Sequence, residues 1–171
     1  VLTTLAVFFA CLVTFNLSAT PAKAETTYTI GTDVTFPPFE FANKQNKYVG
    51  IDMDLIRAIA KNQGFKVKIK PVGFNAAVQS VQSGQLDGVI AGMSITKERE
   101  ATFDFSKPYF TSGVVMAVAK NSKITKLSQL KGKKVAVKTG TSGADYANSI
   151  KNKYGFKVVT FDDSNNMYED V

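Results

Sequence analysis

Residues 73–100 read GFNAAVQSVQSGQLDGVIAGMSITKERE, and three structural signals follow one another within them. Residues 74–83 read as a helix that Gly84 ends, because glycine takes the left-handed turn at a helix exit without steric cost. Residues 86–92, LDGVIAG, form a short apolar run suited to a buried parallel strand. Thr96 then reads as the N-cap of a helix over 96–101, which puts Arg99 on its first turn. Helix, strand and helix in immediate succession are the signature of α/β layering.

The same alternation continues on both sides. Upstream, residues 28–31 predict a strand entering Thr32-Asp33, and Phe36-Pro37-Pro38-Phe39 predicts an extended, turning loop. Residues 50–65 predict a helix. Ile51, Leu55 and Ile59 form its apolar stripe, Asp52 and Asp54 lie at its start, and Gly64 closes it. Residues 66–70, KVKIK, alternate with period two and predict a strand. Downstream, the apolar run 113–119 predicts another strand, which Lys120-Asn121-Ser122 interrupts. A short helix over 127–130, a strand over 135–137, a helix over 144–154, a strand over 157–161 and a helix from Ser164 complete the pattern. The expected fold is α/β with a mostly parallel sheet, divided near residue 120 into two lobes: 25–112, a hinge strand 113–119, and 120–171.

Composition narrows the chemistry. The 171 residues carry 21 Lys and Arg, 14 Asp and Glu, no His and one Cys, Cys11. A His- or Cys-built metal site, a Ser-His-Asp or Cys-His catalytic group and an intramolecular disulfide are therefore excluded. Residues 1–24 contain an apolar run followed by Ala22-Lys23-Ala24, the pattern of a secretory signal, with Cys11 inside the apolar part. The protein is expected to be exported, to the periplasm or cell surface. The lysines are scattered, so the basic balance reads as a solvated face; export argues against a nucleic-acid partner.

Five motifs in order carry a family resemblance: TDVTFPPFEF (32–41), GIDMDLIRAIA (50–60), the 73–100 stretch, FDFSKPYF (103–110) and GKKVAVKTGTSG (132–143). Together they resemble the polar-amino-acid substrate-binding proteins of ABC importers, most closely the glutamine-binding type. The resemblance implies a two-lobed periplasmic-binding-protein fold of type II that closes on its ligand. It implies no catalysis, no cofactor, and a permease partner that is free or fused downstream. It also implies that this chain is C-terminally truncated, its second lobe incomplete, with the carboxylate that neutralises the ligand ammonium beyond Val171.

A free amino acid needs partners for its carboxylate, ammonium and side chain, because an unpaired buried charge is costly. Arg99 matches the family's carboxylate arginine, and a guanidinium fork fits two carboxylate oxygens; read without the family it is a surface residue paired with Glu98 or Glu100. Gly92 matches a residue whose carbonyl meets the ammonium and Ser94 one that offers a hydroxyl and a backbone N–H; otherwise the two belong to a plain strand-to-helix turn. Phe36 and Phe74 match the aromatic pair that encloses the ligand's aliphatic part; otherwise they are ordinary core residues. Asp33 matches a residue near the ligand side chain; otherwise it is a turn-forming Asp. Lys138 matches the lysine that reaches a side-chain oxygen, and Thr141 and Ser142 match residues that join Arg99 on the carboxylate at a helix start. Asp162, Asp163 and Asp170 come too early to neutralise the ammonium. The loop KTGTSG lacks the spacing of a phosphate-binding loop. Two rival functions remain, a ligand-sensing receptor ectodomain and an exported dehydratase of the same fold.

Overall fold

A computed structural model describes residues 25–171; the expected signal at 1–24, with Cys11, lies outside them. The first lobe is organised around strand β1 (Thr27–Thr32), which pairs in parallel with β5 (Lys66–Pro71) on one side and β6 (Gly88–Val89) on the other. Registers such as Ile30↔Ile69 and Ile30↔Gly88 make β1 the central strand, and its last three residues are fully covered. Parallel neighbours require crossovers, and helices α1 (Ile51–Gln63) and α2 (Phe74–Gln82) supply them.

Close packing of α2 on β1 explains Gly31. A Cβ there would stand 2.9 Å from Ala77 Cβ and 2.8 Å from Leu86 Cδ1. Gly31→Ala is therefore expected to force the helix off the sheet and to destabilise the protein by about 1–3 kcal/mol. Chemical denaturation of the variant checks this; an unchanged midpoint would contradict it.

Helix α1 ends as expected, with Gly64 left-handed (φ 71°) and its N–H on the Ala60 carbonyl. Its expected stripe needs correction. Ile51 and Ile59 are exposed, and the buried positions are Asp52, Met53 and Ala60. Leu55, partly buried, and the exposed Ile59 instead line the cleft.

Three short strands escaped the sequence reading. β2 (Thr35–Phe36), β3 (Glu40–Ala42) and β4 (Tyr48–Val49) form an antiparallel meander that runs from the loop expected at 36–39 into residues 40–49, for which the sequence predicts no element. The strand expected over 86–92 shrinks to β6, since it pairs only with β1. Helix α3 (Lys97–Glu100) has Thr96 as N-cap, accepting from the Arg99 N–H at 3.3 Å.

The hinge strand expected over 113–119 does not form. Residues 103–119 contain neither helix nor strand, and Val115 is 87% exposed. A strand exists through its ladder, and this apolar run finds no neighbour to pair with among the described residues.

The second lobe begins with a 3-10 turn, Leu127–Leu130, and pairs β7 (Lys134–Lys138) with β8 (Lys157–Phe161) in parallel. Helix α4 (Ser142–Tyr154) crosses between them, two residues longer at its start than expected because Thr141 caps it. Helix α5 (Ser164–Glu169) follows, capped by Asp163. Leu130, Val137, Ala144, Ala147 and Phe156 make the lobe's small core. Alternating strands and helices thus give two α/β lobes, and no described helix is long and apolar enough to cross a membrane.

Candidate functional site

Parallel strands carry ligand-facing groups at their carboxyl ends, where the chain leaves the sheet with its backbone unpaired. β1 ends just before Asp33 and β7 ends on Lys138. The two side chains meet across the lobes as a buried ion pair, 2% and 8% exposed. Lys138 Nζ also donates to Thr35 Oγ1 (3.3 Å) and to Ser164 Oγ (3.1 Å). The Ser164 N–H donates to Thr35 Oγ1 at 3.1 Å, so the start of α5 docks on β2. Asp33 Oδ1 accepts from the Val34 N–H at 2.8 Å. One end of the cleft is thus a net-neutral pair in which all three Lys138 N–H donors are committed, to Asp33, Thr35 and Ser164.

Arg99 occupies the other end. α3 lifts its side chain over the Phe74 ring, with the guanidinium carbon 5.7 Å from the centroid. Nη1 donates to the Ser94 carbonyl at 2.9 Å and Nη2 to the Gly140 carbonyl at 3.0 Å, so the fork spans both lobes. No ion pair to Glu98 or Glu100 occurs among the described residues. Partial burial lowers the guanidinium pKa from its ordinary value, and Asp145 opposes that shift.

The remaining expected residues fall around these two ends. Phe36, Phe74, Gly92, Ser94, Thr141 and Ser142 all line the cleft. Phe36 stacks on Phe39 (5.4 Å, 17°), which packs edge-on against Phe110, so the Phe36 ring is backed by aromatic rings. Gly92 adopts φ +53°, and a Cβ there would lie 2.8 Å from Phe36 Cε1; the loop reaches the ring only because this residue is glycine. Ser94 is exposed and holds Arg99 through its carbonyl. The Thr141 hydroxyl is committed to its own loop, donating to the Lys138 carbonyl (2.8 Å) and accepting from the Ala144 N–H (3.2 Å). The Ser142 hydroxyl oxygen is buried at the start of α4 without a partner among the described residues.

Two acids near the site have local tasks. Asp163 accepts from the Asn166 N–H at 2.9 Å, and Asp162 accepts from Thr139 Oγ1 at 3.2 Å. Thr35 and Ser164, the other partners of Lys138, went unnoticed in the sequence because a lone hydroxyl next to an aromatic or an acid carries no spacing signal. The cleft amounts to about 1780 Å³, more than one amino acid needs, because it runs on past Val114 to Leu127 and Ile150 in the second lobe.

Residues 28–153 match the family described as bacterial extracellular solute-binding proteins, family 3. The arginine-binding extracellular protein ArtP of Bacillus subtilis (strain 168) is 35% identical over 129 residues, 75% of this chain and 50% of that protein. An ancestral arginine-binding protein bound to arginine superimposes with TM-score 0.77 at 42% identity, covering 85% of this chain and 65% of that one. An ancestral arginine-binding protein bound to glutamine gives TM-score 0.76 at 42% identity, with 85% and 64% covered. The ancestral amino-acid-binding protein AncCDT-1, a precursor of cyclohexadienyl dehydratase, gives TM-score 0.74 at 35% identity, with 85% and 65% covered. The chain spans about half the length of the curated relatives it matches.

Proposed function

The chain belongs to the bacterial extracellular solute-binding proteins of family 3, and on that premise we propose that it captures a free polar L-amino acid, glutamine before glutamate. It acts outside the cytoplasm and delivers the ligand to the permease of an ABC importer, without catalysing a reaction. One observation carries the reading: the Arg99 fork reaches from the Ser94 carbonyl to the Gly140 carbonyl of the other lobe, beside the unpartnered Ser142 hydroxyl at the start of α4. A carboxylate seated there meets a bidentate cation, a hydroxyl and the free N–H groups of a helix start. Touching both lobes, the ligand favours the closed arrangement over an open one.

The Asp33–Lys138 pair supports the choice of side chain. A carboxamide offers an N–H₂ to Asp33 and an oxygen that takes the place of the Thr35 or Ser164 hydroxyl on Lys138, with no net charge added. A carboxylate side chain satisfies Lys138 and meets Asp33 as a like charge, which ranks glutamate second. Arginine is the competing reading, favoured by the names of the relatives; its guanidinium finds Asp33 already neutralised by Lys138. The enzyme reading needs an acid or base free to act in the cleft, and the Asp33 carboxylate is occupied.

Calorimetry of the full-length protein against L-glutamine, L-glutamate and L-arginine tests the ranking. Glutamine is expected to bind at least tenfold more tightly than arginine. The reverse order would overturn the glutamine assignment, and turnover of a bound ligand would overturn the binding reading as a whole.

A further inference from the structure

Behind the ligand-facing surface of the first lobe lies a buried acidic pair outside the site described so far. Asp52 in α1 and Glu40 in β3 are 0% and 1% exposed. The two elements are joined by the Asp52 N–H on the Phe39 carbonyl (2.9 Å), which brings the two acids off neighbouring backbone. Each Asp52 oxygen already holds one donor and keeps a lone pair for another. Oδ2 accepts from the Gly92 N–H at 2.7 Å, and Oδ1 accepts from the Tyr109 hydroxyl at 2.9 Å. Glu40 has no donor on either oxygen among the described residues. Two carboxylates are acceptors only, so a buried pair of them acquires a mutual hydrogen bond only by keeping a proton.

We propose that Glu40 and Asp52 share one proton, as a neutral acid and a carboxylate, and that this pair is a positioning element of the binding site, holding Gly92 and Tyr109 in place. Its importance for ligand binding rests on the reading given above; its proton and its hold on Gly92 do not. Asp52 ties the helix start to the loop that bears Gly92 and to the 103–119 segment that leads toward the second lobe. The charged and titratable groups facing Glu40 are Asp52 from α1, Asp33 from the end of β1 and Lys138 from β7; Tyr109 faces Asp52. Burial first, then the hydrogen-bonding reach and the charge of Asp52, push the Glu40 carboxyl up to about 10, with Asp33 adding and Lys138 opposing. Burial and Asp52 likewise raise the Tyr109 phenol, which keeps its proton as a donor.

The sign of the pH effect follows. A folded-state value above the unfolded one means that stability is fully present below the unfolded value, near 4.5, and is lost as pH rises toward 10. Glutamine at position 40 has no proton to retain. The test is denaturation of the full-length protein and of its Glu40→Gln variant from pH 5 to 9, without added amino acid, because a ligand ammonium titrates in the same range. The unfolding constant of wild type relative to Glu40→Gln should rise by about tenfold per pH unit; parallel curves would overturn the shared proton.

A second arm reads the positioning. In Asp52→Asn, hydrogen exchange at the Gly92 amide should accelerate at least tenfold and L-glutamine affinity fall at least tenfold. An unchanged Gly92 amide overturns the proposal. If Asp52→Asn does not fold, the pH comparison of Glu40→Gln decides alone. If wild type binds no amino acid while both other readouts behave as stated, the transport reading fails and the pair stands.

Discussion

Replacing Arg99 with alanine is expected to cost about 2–5 kcal/mol of amino-acid affinity, the usual consequence of truncating one partner of a desolvated, hydrogen-bonded charge pair. That corresponds to a loss of roughly thirtyfold to several thousandfold. The reason is geometric as much as electrostatic. The fork lies over Phe74 and touches carbonyls of both lobes, so it helps hold the two halves together where the proposed carboxylate would sit. Arg99→Lys keeps a charge but loses the planar pair of donors, and should fall between wild type and alanine. The fold should survive either change, because α3 is capped through the Arg99 backbone N–H on Thr96 and not through its side chain. Calorimetry on the full-length protein, with thermal melting as the control for folding, measures the effect. A well-folded Arg99→Ala variant that binds L-glutamine like wild type contradicts the assignment.

Lys138→Met should have the largest effect on stability. Asp33 is 2% exposed, and the lysine is the cation opposite it. Removing one member of such a pair leaves a buried carboxylate uncompensated, at a cost of about 3–5 kcal/mol. The second-lobe docking also suffers, since Lys138 Nζ bonds Thr35 of the first lobe and Ser164 of the second. Combining Lys138→Met with Asp33→Asn removes the stranded charge and should recover part of the loss, so the two changes are non-additive. Denaturation at pH 7 of both single variants and the double variant gives the coupling directly. Additive losses, or a Lys138→Met loss below about 1 kcal/mol, contradict the pairing.

Periodicity and punctuation made most of the architecture readable. Gly64 and Thr96 marked helix ends through local backbone chemistry, and each acts within a few residues of itself. The meander of β2 to β4 was not readable, because strands of two or three residues are too short for alternation to register. Residues 113–119 show the opposite failure. An apolar, β-branched run signals a strand only where a neighbour completes the ladder, and that depends on tertiary context. At the cleft, the motif order singled out Asp33, Arg99 and Lys138 as candidates, and the fold brings the first and last together over 105 residues of sequence. Asp52 was noticed only as an acid at a helix start. Its grip on Gly92 and Tyr109 links positions 40 and 57 residues away, a relation that exists only after folding.

The central claim is that one amino acid sits between the lobes, with its carboxylate on Arg99 and its side chain at the Asp33–Lys138 pair. A crystal structure of the full-length protein grown with L-glutamine measures this directly. The account predicts carboxylate oxygens within hydrogen-bond distance of both Arg99 terminal nitrogens and of the start of α4, and the carboxamide against the intact Asp33–Lys138 pair. A guanidinium turned to solvent, with the amino acid held elsewhere, would contradict it.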